Sequence, residues 1–242
     1  MSLSKNQLKL ITSLRKKKYR IATNLFIVEG IKVVNEFLNS TFELEQLFCI
    51  DASEYKDYEK CTIISEADLK KISNLTTPNN VVAIFKIPTT NFIEKEGLVL
   101  VLDEINDPGN LGAIIRLCDW FGIDQLICSK DTVDCYNAKV VQASMGSLTR
   151  VSIFYTDLEE YLKSTKKPTY ATLMDGENVY KTTLPNNAIL VMGNEANGIS
   201  KTVLGLLDNT ISIPRFGNLQ QTESLNVATA TAILLSEFRR LN

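Results

Sequence analysis

The stretch LVLVLDEINDPGNLGAIIR (98–116) decides how this 242-residue chain folds. Its opening residues are apolar without alternation, the pattern of a strand buried on both faces of a parallel sheet. Pro108 and Gly109 make a turn, Asn110 stands where a helix N-cap belongs, and Leu111, Ile114, Ile115 and Cys118 recur at helical spacing. Strand, turn and helix are the first half of a right-handed crossover. The sequence therefore predicts an α/β fold with a mostly parallel sheet and helices on both faces. Such sheets bind ligands beyond the carboxyl ends of their strands, so the loops that follow strands are where chemistry is expected.

Downstream, the alternation continues. Strands are expected at QLIC (125–128), TYATLM (169–174), AILVMG (188–193) and TISI (210–213), and helices at 110–121, 137–145, 157–164, 200–207 and 224–241. Upstream, KIPTTNFIEKEG (86–97) has a proline, a threonine pair and a charge run without periodicity, and the domain boundary is placed there. Before it lies a smaller α/β unit. Leu8, Ile11 and Leu14 mark an amphipathic helix, and LFIV (25–28), QLFCI (46–50), CTII (61–64) and VVAIF (81–85) read as strands. Helices are read at 30–38 and 65–72, the latter with a capping-box-like Ser65 and Asp68. The organisation expected is a first domain over 1–88, a linker over 89–97 and a second domain over 98–242.

Composition narrows the chemistry. The chain contains no histidine, which excludes Ser-His-Asp and Cys-His nucleophiles, HExxH metal helices and any imidazole acid or base. Twenty-six basic and 28 acidic side chains give a net charge of −2, so any polyanion site must be a local patch. Such a patch exists: residues 1–35 hold Arg15, Lys16, Lys17, Lys18 and Arg20 among eight cations and a single acid, whereas the next 25 residues carry seven acids and two lysines. The cysteines are odd in number, have no C-x-x-C pair and fall mostly in apolar runs. They read as reduced thiols of a cytoplasmic protein. No signal peptide, membrane span or metal set is read from the sequence.

Two more loops are unusual. In LVMGNEANGIS (190–200), Gly193 follows a strand and permits close backbone approach to a flat ligand, and Glu195 puts an acid in the same loop. Its G-x-x-x-x-G spacing lacks the lysine of a Walker loop, because Ile199 and Ser200 follow. In ISIPRFGNLQQTESLNVATATAILLSEF (211–238), Pro214 ends a strand, Ser224 is positioned to cap the last helix, and Asn226 leaves a polar amide uncommitted in the first turn. Each feature has a bland reading: Arg116 as a solvated charge, the glycines as turn residues, the alanines of 228–232 as packing.

Taken together, the loops resemble the three motifs of the SpoU (TrmH-type) RNA ribose methyltransferases of the SPOUT superfamily. N-x-G-x-x-x-R is matched by Asn110, Gly112 and Arg116, G-x-E-x-x-G by Gly193, Glu195 and Gly198, and I-P…S-L-N by Ile213, Pro214, Ser224, Leu225 and Asn226. The likeness covers about 98–242. LFIVEGIKVVNEFL (25–38) is similar to the start of the L30e-like substrate-binding domain often fused ahead of it.

This resemblance implies an S-adenosylmethionine-dependent enzyme that methylates a ribose 2′-hydroxyl, a C-terminal trefoil knot over about 187–242, and a homodimer. Gly193, Ile213, Leu225, Pro214 and Leu173 would line the cofactor. Arg116 would be central to catalysis, with Asn110, Glu195, Ser224 and Asn226 as orienting groups, and Arg15, Lys16, Lys17, Lys18 and Arg20 would grip RNA phosphates. The separate first domain favours ribosomal over transfer RNA. A non-catalytic RNA-binding relative and a conventional nucleotide-binding enzyme are the competing readings, and the latter lacks its glycine motif. One departure stands out: the loop from Pro214 to Ser224 is a few residues longer than in many members.

Overall fold

The computed structural model describes residues 3–89, 91–93, 95–217 and 224–240. Helices α1 (Lys5–Ser13) and α2 (Lys17–Thr23) lead into β1 (Leu25–Glu29), α3 (Ile31–Leu38), β2 (Leu44–Cys49), β3 (Cys61–Ile63), α4 (Glu66–Ile72) and β4 (Val81–Lys86). Then follow β5 (Leu98–Leu102), α5 (Pro108–Phe121), β6 (Gln125–Ser129), α6 (Ala138–Ser144), β7 (Ser152–Thr156), α7 (Leu158–Ser164) and β8 (Thr169–Asn178). The chain continues through β9 (Ala188–Met192), α8 (Lys201–Leu204), β10 (Asn209–Ser212) and α9 (Val227–Arg239). By packing it divides into two units, Met1–Thr90 with Asp134–Thr149, and Asn91–Val133 with Arg150–Asn242.

The first unit is built on a four-stranded sheet ordered β1, β4, β2, β3. β4 runs antiparallel to both neighbours, and β3 lies parallel to β2. Leu25, Ile27, Phe48, Val82 and Ile84 form a core with Ile11 and Leu14 from α1 and its C-terminal end and with Leu69 and Ile72 of α4. Phe26 and Phe85, at alternate positions, meet Phe37 of α3, with ring centroids 5.6 Å (Phe26–Phe37) and 5.3 Å (Phe37–Phe85) apart.

Tyr136 adds a further ring to this cluster, 4.7 Å from Phe26. A linear reading gives residues 134–149 to the domain beginning at 98; in the structure they pack with the first unit, drawn there by Tyr136 and by Asp134, which pairs with Arg20. Of the basic run, Lys17, Lys18 and Arg20 lie in α2, Lys16 is its N-cap and Arg15 sits in the turn before it.

The second unit holds a six-stranded sheet ordered β10, β8, β9, β5, β6, β7, with every neighbouring pair parallel. Val99, Val101, Ile127, Ala171, Ile189 and Val191 pack against α7 and α8. The alternate residues point the other way, where Tyr170 meets Phe238 of α9 edge-on at 5.5 Å, and α9 packs along α5. Helices thus cover both faces, as the unbroken apolar run of β5 requires. Strand β7 was not predicted, although its Ile153, Phe154 and Tyr155 favour a strand; it is the edge strand of the sheet, with partly buried residues.

Two helix starts differ from the sequence reading. The N-cap of α5 is Asp107, whose carboxylate accepts the Asn110 N–H at 2.8 Å; Pro108 takes the first helical position, where its missing N–H costs nothing. Asn110 therefore sits inside the first turn. Helix α9 is capped by Asn226, whose Oδ1 accepts the N–H groups of Ala228 (3.0 Å) and Thr229 (3.2 Å), so Ser224 lies before the helix and does not cap it.

Candidate active site

Three loops leave the carboxyl ends of β5, β9 and β10. The first two are tied together by buried or half-buried polar groups. Asp103, only 3% exposed, accepts the backbone N–H of Ser200 at 2.8 Å. The Asn194 side chain donates to the Glu104 carbonyl at 2.7 Å, while its own oxygen accepts the N–H groups of Ala196 (2.8 Å) and Asn197 (3.2 Å). Asn194 and Gly198 also exchange two backbone hydrogen bonds, of 2.9 and 2.8 Å. The loop after β9 is therefore a small closed turn with fixed backbone.

Gly193 makes that closure possible. A Cβ built on it would stand 2.2 Å from the Gly198 carbonyl carbon and 2.3 Å from the Ile199 nitrogen, far inside contact distance. Gly198 adopts φ +68°, a left-handed conformation that glycine takes without steric cost.

Beside this turn lies a cavity of about 1040 Å³, at the upper end of the range for small-molecule sites. Its walls include Leu173, Gly193, Ile213, Pro214 and Leu225, all five of the cofactor residues expected from the sequence, together with Glu195 and Ser224. Leu225 is 49% exposed there, an apolar side chain left for something else to cover.

A polar chain runs along the same loops. The Asn226 amide donates to Asn110 Oδ1 at 2.9 Å, and the Asn110 amide donates to Glu195 Oε1 at 2.6 Å. One residue from each motif is thus joined, and the amide of Asn226 that looked uncommitted in sequence is used at both ends. Arg116 stands apart. It lies six residues beyond Asn110, about 9 Å along the helix axis, on an exposed face, and makes no hydrogen bond or ion pair among the described residues.

The basic run belongs to the first unit and is not uniform. Lys16, Lys17 and Lys18 are exposed, and Lys18 reaches over the Tyr19 ring at 4.8 Å. Arg15 is exposed but donates to the carbonyls of Lys71 (3.2 Å) and Ser73 (3.0 Å). Arg20 does not belong with them. It is 3% exposed, donates through Nε to Asp134 at 2.9 Å and through Nη1 to the Leu14 carbonyl at 2.8 Å, and so is a structural ion pair with no face for phosphate. A buried guanidinium must be paired, and here Asp134 pairs it.

Sequence reasoning missed Asp103, Glu104 and Asn194, which hold the loops, and Arg215, which lines the cavity. Asn194 carried a signal, since an Asn ahead of a glycine turn commonly accepts N–H groups two or three residues on. Asp103 had none, as a strand-end acid is ordinary. Of the longer loop between Pro214 and Ser224, residues 218–223 lie outside the described residues.

Known proteins resemble this chain in sequence and in fold over most or all of its length. The SpoU rRNA Methylase family matches residues 97–236, and an MRM3-like substrate binding domain matches residues 5–83. The Bacillus subtilis (strain 168) 23S rRNA (guanosine(2553)-2′-O)-methyltransferase RlmP is 31% identical over 241 residues, covering 93% of each chain. The 23S rRNA (guanosine-2′-O-)-methyltransferase RlmB of Neisseria meningitidis is 38% identical over 148 residues, 59% of this chain and 58% of its own. A solved structure from Porphyromonas gingivalis, assigned to the TrmH family of RNA methyltransferases, superposes with a TM-score of 0.91 at 39% identity over the full length of both chains. An AdoMet-bound rRNA methyltransferase from Sinorhizobium meliloti gives 0.87 at 28% identity, covering 100% of this chain and 97% of the other. On this match in sequence and in fold, the chain belongs to the SpoU rRNA methylase family.

Proposed function

We propose that this protein transfers a methyl group from S-adenosylmethionine to the ribose 2′-hydroxyl of a guanosine in large-subunit ribosomal RNA. The observation that carries the reading is that the loops after β9 and β10 line one cavity, while Asn110 of the first loop is hydrogen-bonded to the cavity residue Glu195 and to Asn226. The names of the Bacillus and Neisseria relatives supply the guanosine and the 23S RNA.

The residues present fit the cofactor. An adenosyl group needs a thin slot with apolar walls and backbone hydrogen-bonding groups, and Gly193 lets the Gly198 and Ile199 backbone close against it, so that Gly193 and Gly198 give the cavity a stretch of wall without side chains. Leu173, Ile213, Pro214 and Leu225 supply the apolar surface, and Glu195 places a carboxylate on a cavity that would receive a cationic ligand. When bound, S-adenosylmethionine supplies a methyl group on a sulfonium, a leaving group that needs no protonation.

That property explains how the chain manages without histidine. What remains is to align the hydroxyl and to ease the loss of one proton. A guanidinium is a poor general base, so Arg116 does not take the proton itself. We assign it to the phosphate beside the target ribose, where its fixed charge lowers the hydroxyl's pKa and the proton leaves to water or phosphate. Asn110 and Asn226, held by each other, orient the ribose, and Ser224 lies on the same rim.

Several further elements belong to the same proposal. Lys16, Lys17 and Lys18, with Arg15, give the first unit a salt-dependent grip on RNA. The C-terminal segment from about 187 threads the trefoil knot of its superfamily, and two copies pair so that Arg116 reaches a shared site. The five cysteines are free thiols, which suits action in the reducing cytoplasm.

Ribose-methylation mapping of total RNA from cells with and without the gene tests the function. One 2′-O-methyl guanosine of large-subunit RNA is expected to disappear with the gene. Loss of a mark confined to transfer RNA would replace the substrate, and an unchanged map in cells with no redundant enzyme would remove the activity.

A further inference from the structure

The rim of the cavity carries a feature that neither the cofactor nor the polar chain uses. Phe216 is 82% exposed, yet its chain neighbours Arg215 and Gly217 both line the cavity. An isolated exposed ring carries no argument, since surface apolar groups are common. Phe216 is not isolated. The Tyr180 ring lies beside it with centroids 6.4 Å apart and planes inclined by only 30°.

Tyr180 is held in place from below. It sits in the short turn Val179–Lys181, anchored by the fully buried Val179 and by the Asn178 side chain, which accepts the Tyr180 N–H at 3.0 Å. Arg215, next to Phe216, reaches Met174 on β8, with Nη2 3.6 Å from the sulfur. Two nearly parallel rings, one widely open to solvent, and a guanidinium thus stand together at the mouth of the site.

We propose that Phe216, flanked by Tyr180 and Arg215, is the platform on which a nucleobase of the RNA stacks while its ribose is presented to the cavity. Single-stranded RNA is recognised by bases splayed onto aromatic faces and guanidinium planes, and every base offers such a face. A ribose that reaches the cavity carries its own base, and its neighbours' bases, to within one nucleotide of the rim where Phe216 stands. Arg215 adds the positive charge that a phosphate or a π-face attracts. The inference rests on the RNA-methyltransferase reading above and adds to it a residue that selects and seats the substrate.

The test uses the full-length protein, S-adenosylmethionine and ribosomal RNA prepared from cells lacking the gene. Phe216→Ala is expected to raise KM for that RNA by about 5- to 150-fold, the cost of removing one stacked base, with the RNA Kd moving in parallel and the Kd for S-adenosylmethionine unchanged by calorimetry. Phe216→Trp restores RNA binding because it restores a ring face. Phe216→Leu, which keeps apolar bulk to hold the loop, does not. An unchanged KM in Phe216→Ala, or recovery by leucine, overturns the platform. Wild-type protein that binds S-adenosylmethionine but methylates no ribosomal RNA overturns the functional reading itself, and the two failures are therefore distinguishable.

Discussion

Substituting Gly193 by alanine tests the cavity at its narrowest point. The new Cβ would lie 2.2 Å from the Gly198 carbonyl carbon, and ordinary contact begins near 3.4 Å, so the backbone must withdraw by about 1.2 Å. What it meets is backbone on both sides, with no side chain able to rotate away. The withdrawal strains or breaks the two hydrogen bonds between Asn194 and Gly198, worth about 0.5–1.5 kcal/mol each, and overpacking adds about 1–3 kcal/mol. The stability loss is about 2–6 kcal/mol if the turn stays closed, and less if it opens. In either case one wall of the cavity moves by roughly the thickness of a bond. Calorimetric titration should show affinity for S-adenosylmethionine at least tenfold weaker, a change of about 1.4 kcal/mol, alongside a lower thermal midpoint. Wild-type affinity in Gly193→Ala would refute the claim that the cofactor lies against this turn.

Four other variants separate roles that the sequence merges. Arg20→Met strands the carboxylate of Asp134 and should cost about 3–5 kcal/mol in urea denaturation; simultaneous Lys16→Ala, Lys17→Ala and Lys18→Ala should leave stability nearly intact while reducing the steepness of log K against log salt for RNA by about 2–3. If Arg20→Met keeps full stability and weakens RNA binding in the same salt-dependent way, the structural role assigned to Arg20 is wrong. Asn226→Ser keeps a good N-cap for α9 but loses the amide that donates to Asn110, so the melting temperature should hold while turnover falls about two- to tenfold. Equal turnover would show that the link to Asn110 is idle. Arg116→Lys should lower kcat/KM by about 10- to 100-fold without altering cofactor affinity, because a lysine cannot grip phosphate with two parallel hydrogen bonds; near-full turnover would count against the phosphate grip.

Much of this was legible in the residues because burial and glycine geometry write themselves into sequence. The unbroken run of β5 announced a strand covered on both faces, and Gly193, Pro214 and Leu225 announced a flat-walled site, all of which the structure brings to one cavity. What was hidden depended on partners distant in the chain. Arg20 reads as one more cation in a basic run until Asp134, over a hundred residues on, is seen to neutralise it. Residues 134–149 gave a helix by periodicity, but nothing local says that Tyr136 meets Phe26. The two cap assignments failed because Asn110 and Ser224 are both good capping residues: Pro108 fixes the first helical position of α5 and leaves Asp107 as its cap, while α9 is capped by Asn226, whose amide also reaches the distant Asn110. Strand β7 was legible in Ile153, Phe154 and Tyr155 and was passed over.

The central claim is that the cavity and its polar chain move a methyl group onto ribose. Purified protein incubated with methyl-labelled S-adenosylmethionine and ribosomal RNA from cells lacking the gene, followed by alkaline digestion, reads this directly. The account predicts label in a single alkali-resistant dinucleotide of large-subunit RNA, since a methylated 2′-hydroxyl cannot assist cleavage, and slower labelling with Gly193→Ala at cofactor concentrations that saturate only the wild type. Label released entirely as alkali-sensitive mononucleotide, marking a base and not a ribose, would contradict it.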